Sequence, residues 1–100
     1  MRVLTASLCL LAATTAAAVD VPLSLHGASG LPDADLWRAV GAGIRKVNAN
    51  TELREAYLRA TSEGLDQALE GMGLMDLHHS QSSAVRAVVE AKIDALGGWE

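Results

Sequence analysis

The chain has 100 residues, the length of one small domain. Its 12 acidic side chains outnumber its 8 basic ones, which gives a formal net charge of −4. This balance argues against general nucleic-acid binding, because such binding depends on neutralising phosphates. A single cysteine, Cys9, excludes an internal disulfide, so good helix packing, a partner chain or a ligand must help to stabilise so small a domain.

Residues 1–18 have the order of a cleavable secretory signal peptide. A positive start precedes the apolar run Val3–Ala13, and Ala16 and Ala18 are spaced as in a cleavage site. The apolar run is too short and too polar for a membrane-spanning helix, so no stable membrane span is expected after cleavage. The sequence therefore predicts a secreted or periplasmic protein, and the alternative is that the segment is retained as a helix.

Residues 19–31 are predicted to form an extended lead-in followed by a loop. Pro22 opposes helix formation in the lead-in. Gly27 and Gly30 flank a serine in the loop, a composition that favours turns.

A first helix is predicted near residues 32–47. Pro32 suits the first helical position, since its missing N–H would have no partner there. Trp37 lies at the edge of an apolar stripe with helical spacing. The stripe contains Leu36, Val40, Ile44 and Val47. Gly41 and Gly43 interrupt this pattern and leave open whether the helix is straight, kinked or split.

A second helix is predicted near residues 51–70, with Asn50 or Thr51 as its N-cap. Small residues repeat every four positions along it: Ala56, Ala60, Gly64 and Ala68. Such a row lets another helix approach closely. We therefore predict that these four residues, together with Trp37 and Trp99, form an interaction surface.

A third helix is predicted near residues 82–96, and the glycine pair that follows Leu96 ends it. No stretch has the alternation of a convincing strand pair. The predicted fold class is therefore all-α: a small antiparallel bundle of about three helices that spans residues 32–98.

The stretch GMGLMDLHHS, residues 71–80, is a candidate soft-metal site. Its possible ligands are Met72, Met75, His78 and His79. Thioethers favour Cu(I), and imidazole suits copper, zinc and nickel. The alternative is a break between two helices, in which the methionines fill irregular gaps in the core. Copper is thus the one cofactor that the sequence leaves open.

Catalytic motifs are not evident in the sequence. His26 opens the stretch HGASG, which lacks the G-x-S-x-G spacing of a nucleophile elbow, so it is interpreted as a loop histidine. Acidic pairs such as Asp66 with Glu70 fall on helix turns that are predicted to be exposed, without a cleft that would shift a pKa. The chain is therefore predicted not to be an enzyme.

The leading interpretation is a small secreted or periplasmic helical protein that acts by protein–protein interaction or self-association. Its expected partner is another protein or a second copy of the chain, and not a nucleic acid. One alternative is a small copper-type carrier that uses the Met72–His79 turn. The other is an intracellular four-helix assembly component that keeps its N-terminal segment.

Overall fold

The computed structural model describes residues 18–27, 29–71 and 73–97. The elements of this part follow in the order β1 (Leu23–Leu25), α1 (Asp33–Ala42), β2 (Ile44–Val47), α2 (Thr51–Leu69) and α3 (Leu74–Ala95). The predicted signal segment, apart from Ala18, lies outside the described residues. Among the described residues, no helix combines the length and the apolar character of a membrane span.

The described residues divide into two compact units. The first unit contains the described residues up to Ala49 together with residues 93–97, and the second contains Asn50–Lys92. The first unit therefore includes both strands, α1 and the last turn of α3, and the second includes α2 and most of α3.

In the first unit, β1 and β2 are parallel and α1 connects them. Leu23 pairs with Ile44 and Leu25 with Val47, with an irregularity in the register after Leu23. The pairing continues past the strands, since the Asn48 N–H donates to the Leu25 carbonyl over 3.0 Å. This is a β–α–β unit, the building block of α/β folds.

The core of the first unit lies between α1 and the sheet. Leu36 and Ala39 on α1 are completely buried, and Ile44 on β2 is 3% exposed. Leu23, Leu25 and Val47 pack around Ala39 and Ile44. On β1, Leu23 and Leu25 are two positions apart, so they share one face of the strand. On β2, Ile44 and Val47 are three positions apart, and the register irregularity that skips Arg45 lets both lie on the helix side.

The all-α prediction is wrong in this unit, although the fold is mostly helical as expected. The first helix ends at Ala42 and does not continue to Val47, because Gly43 adopts a left-handed conformation with φ 115°. The N–H of Gly43 donates to the carbonyls of Ala39 and Val40, so these carbonyls at the end of the helix have a hydrogen-bond partner. The chain then leaves the helix axis, and Ile44–Val47 forms a strand.

In the second unit, α2 and α3 form an antiparallel pair. Residues near the end of α2 meet the start of α3, where a Cβ on Gly64 would lie 3.0 Å from Leu77 Cδ1. At the other end, Lys92 Nζ lies 3.0 Å from Glu52 Oε1. The row of small residues on α2 is its least exposed face, so it packs within the chain.

The third helix begins at Leu74, well before the predicted start near residue 82. Gly73, with φ 138°, turns the chain, and the Leu77 N–H donates to the Gly73 carbonyl over 2.8 Å to open the helix. The predicted cap residues Ser82 and Ser83 lie inside the helix. Packing of Leu77 against α2 outweighs the preference of these serines for the N-cap position.

Candidate functional site

The polar residues that follow the two strands meet at one edge of the sheet. His26 directly follows β1, and Asn48 directly follows β2. Because the strands are parallel, their carboxyl ends lie at the same edge. Asn48 Nδ2 lies 2.9 Å from His26 Nδ1, within hydrogen-bond distance. In α/β folds this edge is where ligands bind.

The backbone around this pair is held from both sides. The hydrogen bond from Asn48 to the Leu25 carbonyl ties the two strand ends together. Gly27, immediately after the histidine, has φ 69°, and Gly30 has φ 84°. Both values lie in the left-handed region, which glycine adopts readily because it has no side chain.

The hydrogen bond to Asn48 controls which nitrogen of His26 is available. When the amide group donates to Nδ1, the proton of the neutral ring lies on Nε2, which is then a hydrogen-bond donor. When the amide is reversed and its oxygen accepts from Nδ1–H, the lone pair of Nε2 is free for a metal ion. His26 is exposed and Asn48 is half-buried, so the pair can be reached by a ligand.

The residues of the predicted copper site lie elsewhere. Met75, His78 and His79 are exposed on the first turns of α3, and Met72 lies outside the described residues. Met75 and His79 are one helical turn apart, so they share a face of α3. The described residues contain no group of three or more His, Cys, Asp or Glu arranged to hold a metal ion. Copper binding by thioethers and imidazoles stays a prediction.

The predicted interaction residues fall into two groups. Ala60 is buried, and the rest of the small-residue row on α2 is half-buried. The row includes Ala56, Ala60, Gly64 and Ala68. Trp37 on α1 is 59% exposed, and Trp99 lies outside the described residues. A role for these residues in binding a partner stays a prediction.

A parallel β–α–β unit of this kind belongs to the α/β class of folds, and here it carries an imidazole and an amide at its carboxyl edge. Comparison with known families gives the class more specifically. The family model described as fructose-bisphosphate aldolase class-II matches residues 6–99. The chain therefore belongs to the class-II fructose-bisphosphate aldolase family.

Two comparisons identify relatives in Escherichia coli K12. The chain is 54% identical over 80 residues to the protein named Uncharacterized protein YdjI. The aligned residues cover 80% of this chain and 27% of that protein. It also resembles the X-ray crystal structure of the YdjI aldolase, with a TM-score of 0.75 and 36% identity. That superposition covers 90% of this chain and 33% of the solved one. The chain thus spans about a third or less of the length of these relatives.

These findings correct the functional predictions. The interpretation as a non-catalytic helical bundle that acts by protein–protein interaction is wrong, because the family is one of enzymes. The prediction that the chain is not an enzyme is wrong for the same reason. The family match also begins at residue 6, inside the segment that was predicted to be cleaved. A secreted or periplasmic location stays a prediction.

The sequence prediction missed His26 and Asn48 as a pair. A signal for them was present: each follows a short stretch that begins and ends with an apolar residue, LSL and IRKV, and a helical segment separates the two stretches. Strand, helix and strand in that order predict a parallel pair whose carboxyl ends meet. The stretches were too short to be identified as strands by alternation alone.

Proposed function

We propose that this chain contributes to the active site of an aldolase through His26 and Asn48. The 2.9 Å contact between the two side chains at the carboxyl edge of the sheet carries the proposal. Membership of the class-II fructose-bisphosphate aldolase family supports it, as does the likeness to a protein described as an aldolase. The chain spans about a third of that protein, so the proposal concerns only the part of an active site that these residues form.

An aldol cleavage breaks the bond between the carbon next to a carbonyl and the carbon that carries a hydroxyl group. The hydroxyl loses its proton, and the electron pair of the broken bond moves onto the carbonyl oxygen as an enolate. The enzyme must therefore stabilise a developing negative oxygen and accept a proton. With the Asn48 amide donating to Nδ1, the Nε2–H of His26 is a donor suited to the enolate oxygen.

The loop after His26 supports a phosphorylated substrate, the class that the family name indicates. Gly27 and Gly30 have positive φ, and neither has a side chain to keep an anionic group away from the main chain. Backbone N–H groups in turns of this kind are common ligands of phosphate. We therefore propose a sugar phosphate as the substrate class.

Class-II aldolases usually use zinc, and the donor set of this chain fits that ion only in part. A catalytic zinc site uses about three protein ligands, and the described residues contain no such group. With the Asn48 amide reversed, His26 can supply one ligand through Nε2, and Asn48 then orients the ring. The ion would supply Lewis-acid stabilisation of the enolate oxygen.

A chimaera tests the proposal. This chain replaces the matching third of the E. coli YdjI aldolase, and cleavage of a panel of phosphorylated ketoses, beginning with fructose bisphosphate, is followed by NMR. In the active chimaera, His26→Ala is expected to lower kcat/KM by about 100-fold or more, the usual contribution of a positioned proton donor. Asn48→Ala is expected to lower it by a smaller factor, since the ring remains.

The matched control is His79→Ala, which removes an exposed histidine from α3. It is expected to leave kcat/KM within about two-fold, because surface substitutions away from a site have small effects. Circular dichroism of each variant separates loss of folding from loss of chemistry. Full activity in a folded His26→Ala chimaera would contradict the proposal.

A further inference from the structure

Trp37 is the most exposed aromatic residue of the described part, although it lies on a helix that packs onto a sheet. Its side chain is 59% exposed. One edge of the indole rests against Gly97, where an added Cβ would lie 2.6 Å from Trp37 Cζ3. Gly97 itself has φ 107°. The glycine turn therefore holds the ring in place while much of its surface stays open to solvent.

Two carboxylates border the same ring. Asp33 on α1 and Asp94 on α3 line one open depression with Trp37, and its volume is about 580 Å³. Neither carboxylate has an ion pair or a side-chain hydrogen bond within the described part of the chain. Asp35 is different, since it lies 3.5 Å from Arg38. Negative charge at Asp33 and Asp94 is thus available beside an exposed aromatic face.

We propose that Trp37, Asp33 and Asp94 bind an arginine side chain of a partner polypeptide. A guanidinium group is planar, so it stacks on an indole face while its edge donates hydrogen bonds to a carboxylate. Lysine has no planar group and makes only a point-charge contact with the same residues. The negative net charge of the chain also favours a basic partner.

The shape of the depression favours a polypeptide over a free small molecule. Small-molecule sites usually bury most of their ligand, and this depression is open along its length. A side chain that is anchored on a larger partner needs no such enclosure, since other contacts add to its affinity. The surface uses none of the residues at the His26 edge, so the inference is independent of the aldolase proposal.

NMR titration of the full chain tests the inference. The probe is an acetylated Gly–Arg–Gly amide, and the control probe has citrulline, a neutral isostere, in place of arginine. The indole N–H signal of Trp37 is assigned with Trp37→Phe. Binding of the arginine peptide is expected to be about two- to five-fold tighter than that of the citrulline peptide, the size of an exposed cation–π contact.

Variants locate the binding. Asp33→Asn combined with Asp94→Asn is expected to remove the preference for the arginine peptide over the citrulline peptide. Trp37→Leu is expected to weaken binding more than Trp37→Phe does. Binding to the variants is followed by the amide signal of Ala34. Asp66→Asn combined with Glu63→Gln, both on the exposed surface of α2, is the control that changes the net charge by the same amount, and it is expected to leave binding unchanged. Equal binding of the two peptides would overturn the inference. Putrescine that binds as tightly as the arginine peptide would overturn the assignment to a polypeptide.

Discussion

The two units of the chain differ in the internal packing that stabilises each of them. In the first, a helix covers two parallel strands, and Leu36 and Ala39 are completely buried. In the second, two long helices pair through small residues, and the most buried apolar side chains, Ala60 and Leu77, are each 9% exposed. A few residues thus form a tight core in the first unit, whereas contacts in the second are spread along the helices.

This difference has a consequence for function. A polar side chain is positioned well when the main chain beneath it is fixed by packing and hydrogen bonds. His26 and Asn48 extend from the ends of strands that the first core supports. In the second unit, α2 leaves large apolar residues such as Leu58 and Leu69 exposed, at 56% and 76%. The candidate site therefore lies on the unit with the more completely buried core.

The largest expected effect tests the first core. Leu36→Ala removes a side chain that is completely buried, and the loss of packing is expected to lower the free energy of unfolding by about 2–5 kcal/mol. The control is Leu69→Ala, which removes a side chain that is 76% exposed and is expected to cost under about 0.5 kcal/mol. Urea denaturation followed by circular dichroism measures both. Similar losses in the two variants would mean that the first unit has no tighter core.

A second prediction separates two neighbouring glycines of the first unit. Gly43→Ala puts a Cβ at φ 115° and is expected to cost about 1–2 kcal/mol of stability, because the left-handed conformation is strained for alanine. Gly41→Ala lies in helical conformation with open space around it and is expected to stabilise by up to about 1 kcal/mol. Thermal unfolding compares them. Opposite signs are required, and a loss in both variants would count against the helix end at Gly43.

A third prediction concerns the polar contact inside the second unit. Gln81 is 7% exposed, and its Nε2 donates to Thr61 Oγ1 over 2.9 Å. Gln81→Ala is expected to cost about 1 kcal/mol, since a part-buried hydroxyl loses its donor. Gln67→Ala, on the exposed side of α2, serves as the control and should cost little. Hydrogen exchange of the α2 amides shows whether the pair opens more often.

The regular helical spacing of apolar and small residues explains why α2 in the second unit was easier to predict than the strands of the first unit. The second helix was expected over residues 51–70 and is observed over Thr51–Leu69, because its apolar and small residues recur with helical spacing for five turns. The strands contain three and four residues, so alternation cannot be read from them. Their pairing depends on contacts between distant parts of the chain, and only the fold shows these.

The candidate site was harder to predict for a related reason. His26 is a lone histidine in a glycine-rich loop, and its neighbour Asn48 is 22 positions further on. No local spacing joins them, whereas Met75 and His79 are four positions apart, a spacing from which a metal site can be predicted. A site at the edge of a parallel sheet is assembled by topology, so the order of strand and helix indicates it better than a motif does.

The smallest expected effect compares two ion pairs of the second unit. Lys92 and Glu52 join α3 to α2 over 3.0 Å, with side chains 15% and 30% exposed. Arg86 and Glu90 lie on one helix over 2.8 Å and are 80% and 60% exposed. A double-mutant cycle with alanine is expected to give about 0.5–1 kcal/mol for the first pair and about 0.3 kcal/mol for the second, because solvent screens exposed charges. Added salt should weaken the exposed pair more. An equal coupling energy in the two cycles would show that the link between the helices adds nothing to their packing.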